Sequence, residues 1–388
     1  MAAPVLQSLP FLPQINASPD VITQLTAFEL AMLKAYMGLQ PPSLVQMGQR
    51  ATTSSLAYKL PVSANSALFK EITGGTQYRK LGKLMLAIST KGYEDGVQAE
   101  ALQIQSDEWS GWGDAPMQMA LAANLIGEAA IAAAIEDGEN AASVENFLEG
   151  DTYDRSIKFF GQNKALDPFG RFAGVYSNLF TSTGTAALGN TDAAAPLTLA
   201  NIDRVWSHIN QVHSLDGTHF MDLRWTGVLV PKTMELKARR FFEDQGAGND
   251  LVYEPTTGTA DNKSAAGVDV YPKPNTSKKY GIQVISSPYL TVVDTWYPIV
   301  QSATQKRAPW IELTQVPARQ AEFAGAQQAS PANSNGAGDL IWTIDDFMSE
   351  GYKHGTETIA KGFVALAARK LVGAALTWPF GIFKCKAT

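Results

Sequence analysis

The spacing of apolar positions changes along the chain, and the changes mark its elements. Leu81 to Thr90 is apolar and partly alternating. Val97, Ala99 and Ala101, followed by Leu102 and Ile104, alternate again, with turn signals at Lys91-Gly92 and Asp95-Gly96 between the two runs. Period two predicts half-buried strands, and the simplest arrangement of these two is a long hairpin. Such a hairpin is marginal alone in water and requires a partner surface. Residues 114–137 follow a helical pattern: Asp114 can cap the start, Pro116 sits in the first turn, and the run MQMALAANLIGEAAIAAAIED is rich in strong helix formers. Met117, Leu121, Leu125, Ala132 and Ile135 are expected on one side, and Gly138 ends the helix. At 1.5 Å per residue it would be roughly 35 Å long, the length of a spine.

Other elements follow from the same reading. Residues 1–60 form a proline-punctuated arm (Pro4, Pro10, Pro13, Pro19, Pro41, Pro42) with one helix expected from Asp20 to Met37. An apolar arm of this kind lies on the rest of its own subunit or on the next. Residues 150–197 are loop-rich. A second helix is expected from Leu199 to Leu215, capped by Thr198, then a buried strand from Trp225 to Val230, and a third helix from Thr233 to Asp244 opened by Pro231. The strand–Pro–helix step points to an α/β layer. Residues 245–280 read as a surface loop. Strands resume at Gly281–Ser286, Thr291–Val300 and Trp310–Gln315, and again at Leu340–Ile344 and Phe347–Lys353. The low-complexity run 321–338 reads as an exposed insertion.

Composition narrows the class. Hydrophobic residues make up 45% of the 388 and charged residues only 18%. A low charge density is expected where much of a surface is covered by copies of itself, although catalytic oligomers share it. Cys385 is the only cysteine, which rules out an intrachain disulfide framework. No run of about 18 apolar residues is found that would span a bilayer, and the N-terminus lacks a signal-peptide pattern, so a chain made and folded in a cytoplasm is expected.

Net charge is −6, unevenly placed. From Glu94 to Asp154 there are 14 acidic residues and no Lys or Arg. From Gly351 to Thr388 there are six Lys/Arg and one acid, Glu357. Two readings stand: two solvated faces of one monomer, or complementarity between neighbouring copies, which sets register more than affinity. No basic cluster with interleaved aromatics appears, which argues against sequence-specific nucleic-acid binding.

Candidate chemistry is sparse. His208 and His213 are five apart on a predicted helix and off one another's face; His219 and His354 have no ligand-spaced partners. Gly111–Asp114 (GWGD) precedes a helix as a phosphate loop would, but it lacks the Lys-Ser/Thr pair and lies in the acidic stretch, so it reads as a helix-entry turn. The adjacent carboxylates Glu94/Asp95, Asp107/Glu108, Glu136/Asp137 and Asp345/Asp346 point in different directions and read as solvated surface. No residue is assigned a catalytic, cofactor-binding or metal-ligating role, and no cofactor is implied.

The order of pieces carries a resemblance. An arm, a long hairpin, a spine helix, an α/β domain and a final return of strands resemble the Hong Kong 97-type tailed-phage capsid fold, and more closely the Mu-type major head subunit family. The passages are KGYEDGVQAEALQIQSDE (Lys91–Glu108), YDRSIKFF (Tyr153–Phe160), SNLFTS (Ser177–Ser182), Leu197-Thr198, GVLVPKTMELKARRFF (Gly227–Phe242), IQVISSPYL (Ile282–Leu290), WYPIVQ (Trp296–Gln301) and DFMSEGYKHGTETIAKGF (Asp346–Phe363). The likeness runs from about residue 60 to 370; the 245–280 loop, the 321–338 insertion and the tail past 370 are particular to this chain.

The resemblance implies an α+β capsid fold. Its parts would be an N-terminal arm (1–60), an extended hairpin loop (61–108), a peripheral domain with the spine helix (109–197), an axial domain (198–340), and return strands with a basic C-terminal tail (341–388). It implies a structural, non-enzymatic major capsid protein that forms pentamers and hexamers in an icosahedral virion shell around double-stranded DNA, contacted non-specifically, with assembly in the host cytoplasm and no membrane. Scaffolding (expected as a separate protein), portal and decoration proteins are the implied partners. An encapsulin-type nanocompartment shell, another virion component such as a tail or decoration protein and, more remotely, a cytoplasmic oligomeric enzyme are the rival readings. Some relatives crosslink a loop Lys to a neighbour's Asn; Lys70, Lys80, Lys83, Lys91, Asn333 and Asn335 are available here, and nothing specifies a pair. An inward acidic stretch at 136–151 would repel packaged DNA and keep it from adhering.

Overall fold

In a computed structural model of the chain, the structure describes residues 19–54, 57–63, 83–100, 114–139, 159–161, 164–165, 175–180, 196–213, 220–242, 251–252, 273–274, 281–302, 308–315, 340–346, 349–354, 357–361, 363–378 and 380–386. The chain forms two compact units. One takes residues 1–58, 88–130 and 312–374, the other 59–87, 131–311 and 375–388. Helices and sheets are mixed in both.

The first unit is a sheet under two helices. Its sheet runs Gln49–Thr53, Trp310–Gln315, Phe363–Leu376, Ile341–Asp346, with Lys91–Glu100 also paired to the long strand Phe363–Leu376. Both of the long strand's mapped partners are antiparallel, with Phe363 opposite Glu100 through Val372 opposite Lys91, and Arg369 opposite Ile341. Alternation turns Ala368, Lys370 and Val372 inward. Helix Pro19–Gly38 contributes Phe28, Met32 and Tyr36 to the core above, and helix Ala115–Glu136 contributes Met119, Ala120 and Ala123, with Leu340 and Ala368 completing the cluster.

Two sequence expectations change here. Among the described residues the runs 81–90 and 97–105 are not paired with each other: Lys83–Ser89 pairs with Ala57–Ser63, and Lys91–Glu100 pairs with the late strand. Lys91-Gly92 and Asp95-Gly96 therefore lie within a strand rather than in turns. Gly92 is suited to this place because a Cβ there would come within 3.2 Å of Leu371. Second, the long helix buries the expected side only in its second half, where Ala132 and Ile135 are buried; in its first half another side is buried. Ala120, Ala123, Ile131, Ala132 and Ile135 are buried, while Met117, Leu121 and Leu125 are exposed. The small residues allow close approach to the sheet; at Gly127 a Cβ would collide with the Glu312 carboxylate. The helix is long and apolar enough to cross a membrane by length and composition, yet half of that window is buried inside the chain, including Asn124 and Glu128, as in a core helix.

The second unit is built on a mixed sheet in the order Gln283–Ser287, Leu223–Pro231, Thr295–Ser302, Lys384–Lys386, Leu179–Phe180. The first two strands are parallel, and the helix Glu235–Phe242 follows Leu223–Pro231 after a short 3₁₀ turn. This is the expected strand–Pro–helix step, completed as a crossover. Helix Leu199–Asn210 begins where expected, with the Thr198 hydroxyl accepting from the Asn201 N–H at 3.3 Å. It ends before Leu215, and His213 bridges to Phe220.

A β-bulge shapes this sheet. Ile299 pairs with Gly227 and Val300 with Trp225, which leaves Thr226 as the extra residue. The extra residue shifts the alternation, so Leu223 and Trp225 before it and Val228 and Val230 after it all join one core. Trp225 stacks with Trp206 at 5.8 Å and Trp296 at 6.1 Å, and meets Phe242 edge-on at 5.5 Å. The indole N–H of Trp225 donates to the Gly227 carbonyl at 2.8 Å, so the ring is held across the bulge.

Of the expected surface insertions, 321–338 lies outside the described residues. The 245–280 loop is described only where Leu251–Val252 pairs antiparallel with Lys273–Pro274. At the end of the long helix the chain closes on Gly138. The Phe160 N–H donates to its carbonyl at 2.8 Å, and a Cβ there would lie 2.6 Å from the Phe160 ring. Gly138→Ala should therefore destabilise the protein by about 1–3 kcal/mol through overpacking; urea unfolding monitored by tryptophan fluorescence measures it.

Candidate functional site

Two deeply buried lysines lie near the end of the chain. Lys370 is 2% exposed and Lys384 3%. Neither belongs to a solvated tail: each sits in a sheet strand, Lys370 in Phe363–Leu376 and Lys384 in Lys384–Lys386.

In the first unit, strand alternation carries Lys370 inward. Its ammonium donates to the Ala123 carbonyl at 3.1 Å, lies 3.9 Å from Glu312 Oε1 and sits 5.5 Å over the Tyr36 ring. Glu312 is inward on its own strand and accepts from Arg50 Nε at 2.9 Å, with both side chains almost fully buried. One carboxylate thus neutralises two buried cations. Charges taken out of water require this kind of pairing, because each alone would cost several kcal/mol.

In the second unit, Lys384 donates to the Glu136 carbonyl at 3.2 Å, where a cation meets the negative end of the helix dipole. It also pairs with Glu139 at 2.7 Å and lies over the Phe160 and Tyr297 rings. Lys386 joins Glu139 at 2.9 Å. Burial by itself would raise the Glu139 carboxyl, but the two lysine hydrogen bonds and charges outweigh it and hold the group below the usual range. The Glu136 carboxylate accepts from the Thr291 N–H and hydroxyl and from the Val292 N–H, fixing the turn before Thr295.

These pairs correct the reading of the charge asymmetry. Acid from the 94–154 stretch meets base from the C-terminal stretch within one chain: Glu94 with Arg369, and Glu139 with Lys384 and Lys386. Residues 140–151 of the acidic run lie outside the described residues, so the expected inward acidic face has only its first residues placed, and Glu136 and Glu139 are both engaged.

The described histidines are not brought together. His208 is buried, with Nε2 3.0 Å from the Ser177 carbonyl, which assigns the proton to Nε2, and its ring edge-on to Phe180 and Phe383. Burial, only partly offset by that hydrogen bond, lowers its pKa. His213 packs on Phe220 at 4.2 Å. His219 lies outside the described residues, and His354 stands opposite Glu357 in a hairpin. Among the described residues no group of three or more His, Cys, Asp or Glu is placed to hold a metal ion. Gly111 to Gly113 lie outside the described residues, and the Asp114 carbonyl accepts from the Gln118 N–H. Asp95 accepts from the Gly96 N–H, and Asp345 and Asp346 lie in a strand. Asp107 and Glu108, Lys70, Lys80, Asn333 and Asn335 lie outside the described residues; Lys83 begins a strand and Lys91 is exposed. The Cys385 thiol is fully buried, which pushes its pKa up.

The buried ion pairs went unread in the sequence, although a signal existed. Leu366, Ala368, Lys370 and Val372 share one phase of an apolar strand, as do Trp310, Glu312 and Thr314. A charge in an otherwise apolar phase marks an internal partner.

No protein-family model matches the chain, and no curated protein matches it. Among solved structures the chain is similar to the procapsid of bacteriophage JBD30 (9% identity, 96% of this chain and 77% of that chain, TM-score 0.40). It is also similar to the bacteriophage JBD30 capsid (15%, 71% and 100%, 0.42) and to the mature capsid of bacteriophage PhiM1 (11%, 90% and 88%, 0.42).

Two predictions follow from the buried charges. Glu312→Gln removes the carboxylate that Arg50 and Lys370 share and should cost about 3–5 kcal/mol in urea unfolding. Glu29, buried on helix Pro19–Gly38 with an Oε2 that meets no hydrogen-bond partner, has its carboxyl raised by burial from 4.5 to about 6. The folded state therefore binds the proton more tightly than the unfolded chain. Its contribution is most favourable below pH 4.5 and is lost as pH rises to about 6. Glu29→Gln should match the parent near the acidic end of that window and exceed it by up to about 2 kcal/mol above it; unfolding curves of both proteins across the window measure the difference.

Proposed function

We propose that the chain is the major capsid protein of a tailed bacteriophage, a subunit that self-assembles into an icosahedral shell around double-stranded DNA. The observation that carries this reading is a row of large apolar side chains left in solvent by the single chain. Met117 is 47% exposed, Leu121 41% and Leu125 37%, four residues apart along one side of the long helix. The same helix buries alanines on its other side, so the exposed row is not a consequence of having too few apolar residues to fill the core. Apolar surface in water is unfavourable by about 25 cal/mol per Å². A neighbouring copy that covers the row recovers that free energy, and symmetry repeats the contact through the shell.

Leu30 and Met37, on helix Pro19–Gly38 of the same unit, are exposed as well. The order of sequence pieces resembling the Hong Kong 97-type fold, and the Mu-type head subunits in particular, supports the same assignment. On this reading the subunits meet as pentamers and hexamers in the virion, with scaffolding, portal and decoration proteins as further partners. The division into arm, extended loop, peripheral domain and axial domain belongs to the same proposal, as does the absence of a catalytic role.

Negative-stain electron microscopy of the purified protein, alone and co-expressed with its genomic neighbours, tests the proposal. Closed shells or rings of five and six subunits are expected, and bound protein cargo in place of DNA would favour the encapsulin reading. A small discrete oligomer under both conditions would contradict both shell readings.

A further inference from the structure

Helix Pro19–Gly38 is seated on the first unit by Phe28, Met32 and Tyr36, which meet Met119, Ala120 and Ala123 of helix Ala115–Glu136 together with Leu340 and Ala368. Glu29 follows Phe28 on this helix and lies one turn before Leu33, which packs at the margin of the same cluster. It is buried, and its Oε2 has no hydrogen-bond partner. Such an atom is uncommon inside a protein, because a carboxyl removed from water normally recovers the loss by pairing. Glu312, in the same unit, shows the ordinary arrangement: it accepts from Arg50 and lies beside Lys370.

Among the described residues no cation pairs with Glu29, and burial is the cause that raises its carboxyl from 4.5 to about 6. The charged groups on the elements around the seat are placed otherwise. Lys370 of the long strand donates to the Ala123 carbonyl and lies over the Tyr36 ring. Arg369 pairs with Glu94, and Lys91, Asp95 and Lys34 are exposed. Glu128, buried on helix Ala115–Glu136, is itself an acid. The helix, the strands Lys91–Glu100, Trp310–Gln315, Ile341–Asp346 and Phe363–Leu376, and helix Ala115–Glu136 contain no histidine. The far end of the helix has its own attachment: Asn124 Nδ2 donates to the Gln40 carbonyl at 3.0 Å, and Lys370 sits 5.5 Å over the Tyr36 ring.

We propose that Glu29 is a pH-sensitive latch on this helix: with the carboxyl protonated the helix is seated, and loss of the proton to water favours an opened state in which the part around Glu29 leaves its seat while Tyr36 to Gln40 stays attached. The seated state buries the carboxyl and so binds the proton more tightly than the opened state, in which the group returns to water. Seating is therefore most favoured below pH 4.5 and weakens as pH rises to about 6 and beyond. Local opening of one element ahead of the rest is common where its buried contacts are few or imperfect, and an unpartnered carboxylate in the contact is such an imperfection. The latch acts within a single chain, so it goes beyond the shell reading and stands independently of it.

The test is hydrogen exchange of the full chain at about pH 5 and about pH 7.5, corrected for the intrinsic pH dependence of exchange and repeated at low urea concentrations. Opening of one helix exposes little surface and is nearly insensitive to low urea, whereas unfolding of the whole unit is not. Amides of 27–33 are expected to exchange faster than those of 364–372 at both pH values and with little dependence on urea. Their protection in the parent should fall by about tenfold between the two pH values, as a carboxyl raised by burial requires. Glu29→Gln and Glu29→Leu, which remove the titrating group, should abolish that fall. Protection of 27–33 that is independent of pH in the parent would overturn the latch. A fall of the same size in both variants would do so too, by assigning the effect to another group. If 27–33 and 364–372 share one protection and one urea dependence, the helix leaves only when the unit unfolds, and the latch is excluded even though Glu29 still affects overall stability.

Discussion

A lysine carried into a sheet interior must find an anion and a carbonyl there, and this protein meets that requirement twice with residues from its last twenty. Lys370 requires Glu312, the Ala123 carbonyl and the Tyr36 ring to be in place. Lys384 requires Glu139, the Glu136 carbonyl and the Phe160 and Tyr297 rings. Those partners come from distant parts of the sequence, so each unit acquires its full set of buried contacts only after the end of the chain has been laid down. The strands that carry the lysines are also internal to their sheets: Phe363–Leu376 pairs with Lys91–Glu100 and Ile341–Asp346, and Lys384–Lys386 pairs with Thr295–Ser302 and Leu179–Phe180. What composition suggests is a basic tail is, in packing terms, core.

Local pattern was legible wherever local chemistry decides. Thr198 caps its helix, the apolar run Trp310–Gln315 is a strand over the same residues, and Pro231 ends a strand and opens the turn into the next helix. Long-range pairing was not legible. Nothing in Lys91–Glu100 says that its partner is near residue 370 rather than in the preceding strand, because both have the same period. The long helix misled for another reason. Its alanines are nearly neutral on any apolar scale, so the largest residues, Met117, Leu121 and Leu125, dominate a pattern reading. In the first half of the helix close packing on the sheet instead buries Met119, Ala120 and Ala123, while Ala132 and Ile135 further along are buried as the pattern predicts. The charge asymmetry was visible but its meaning was not, since a count of acids and bases does not say whether they meet inside one chain or across two.

Several charged residues pair inside the chain, while the exposed surface carries patches of different chemistry. Glu312 pairs with Arg50 and Lys370, and Glu139 with Lys384, and these pairs fix geometry. On the outside, the long helix carries an apolar row, Met117, Leu121 and Leu125.

Hydrogen exchange of the intact protein, resolved to short peptides, tests most directly whether the end of the chain is core. The amides of 364–372 and 384–386 should exchange as slowly as those of the central strand Leu223–Pro231. Exchange of these residues on the timescale of an unstructured tail, while 223–231 stays protected, would contradict the account.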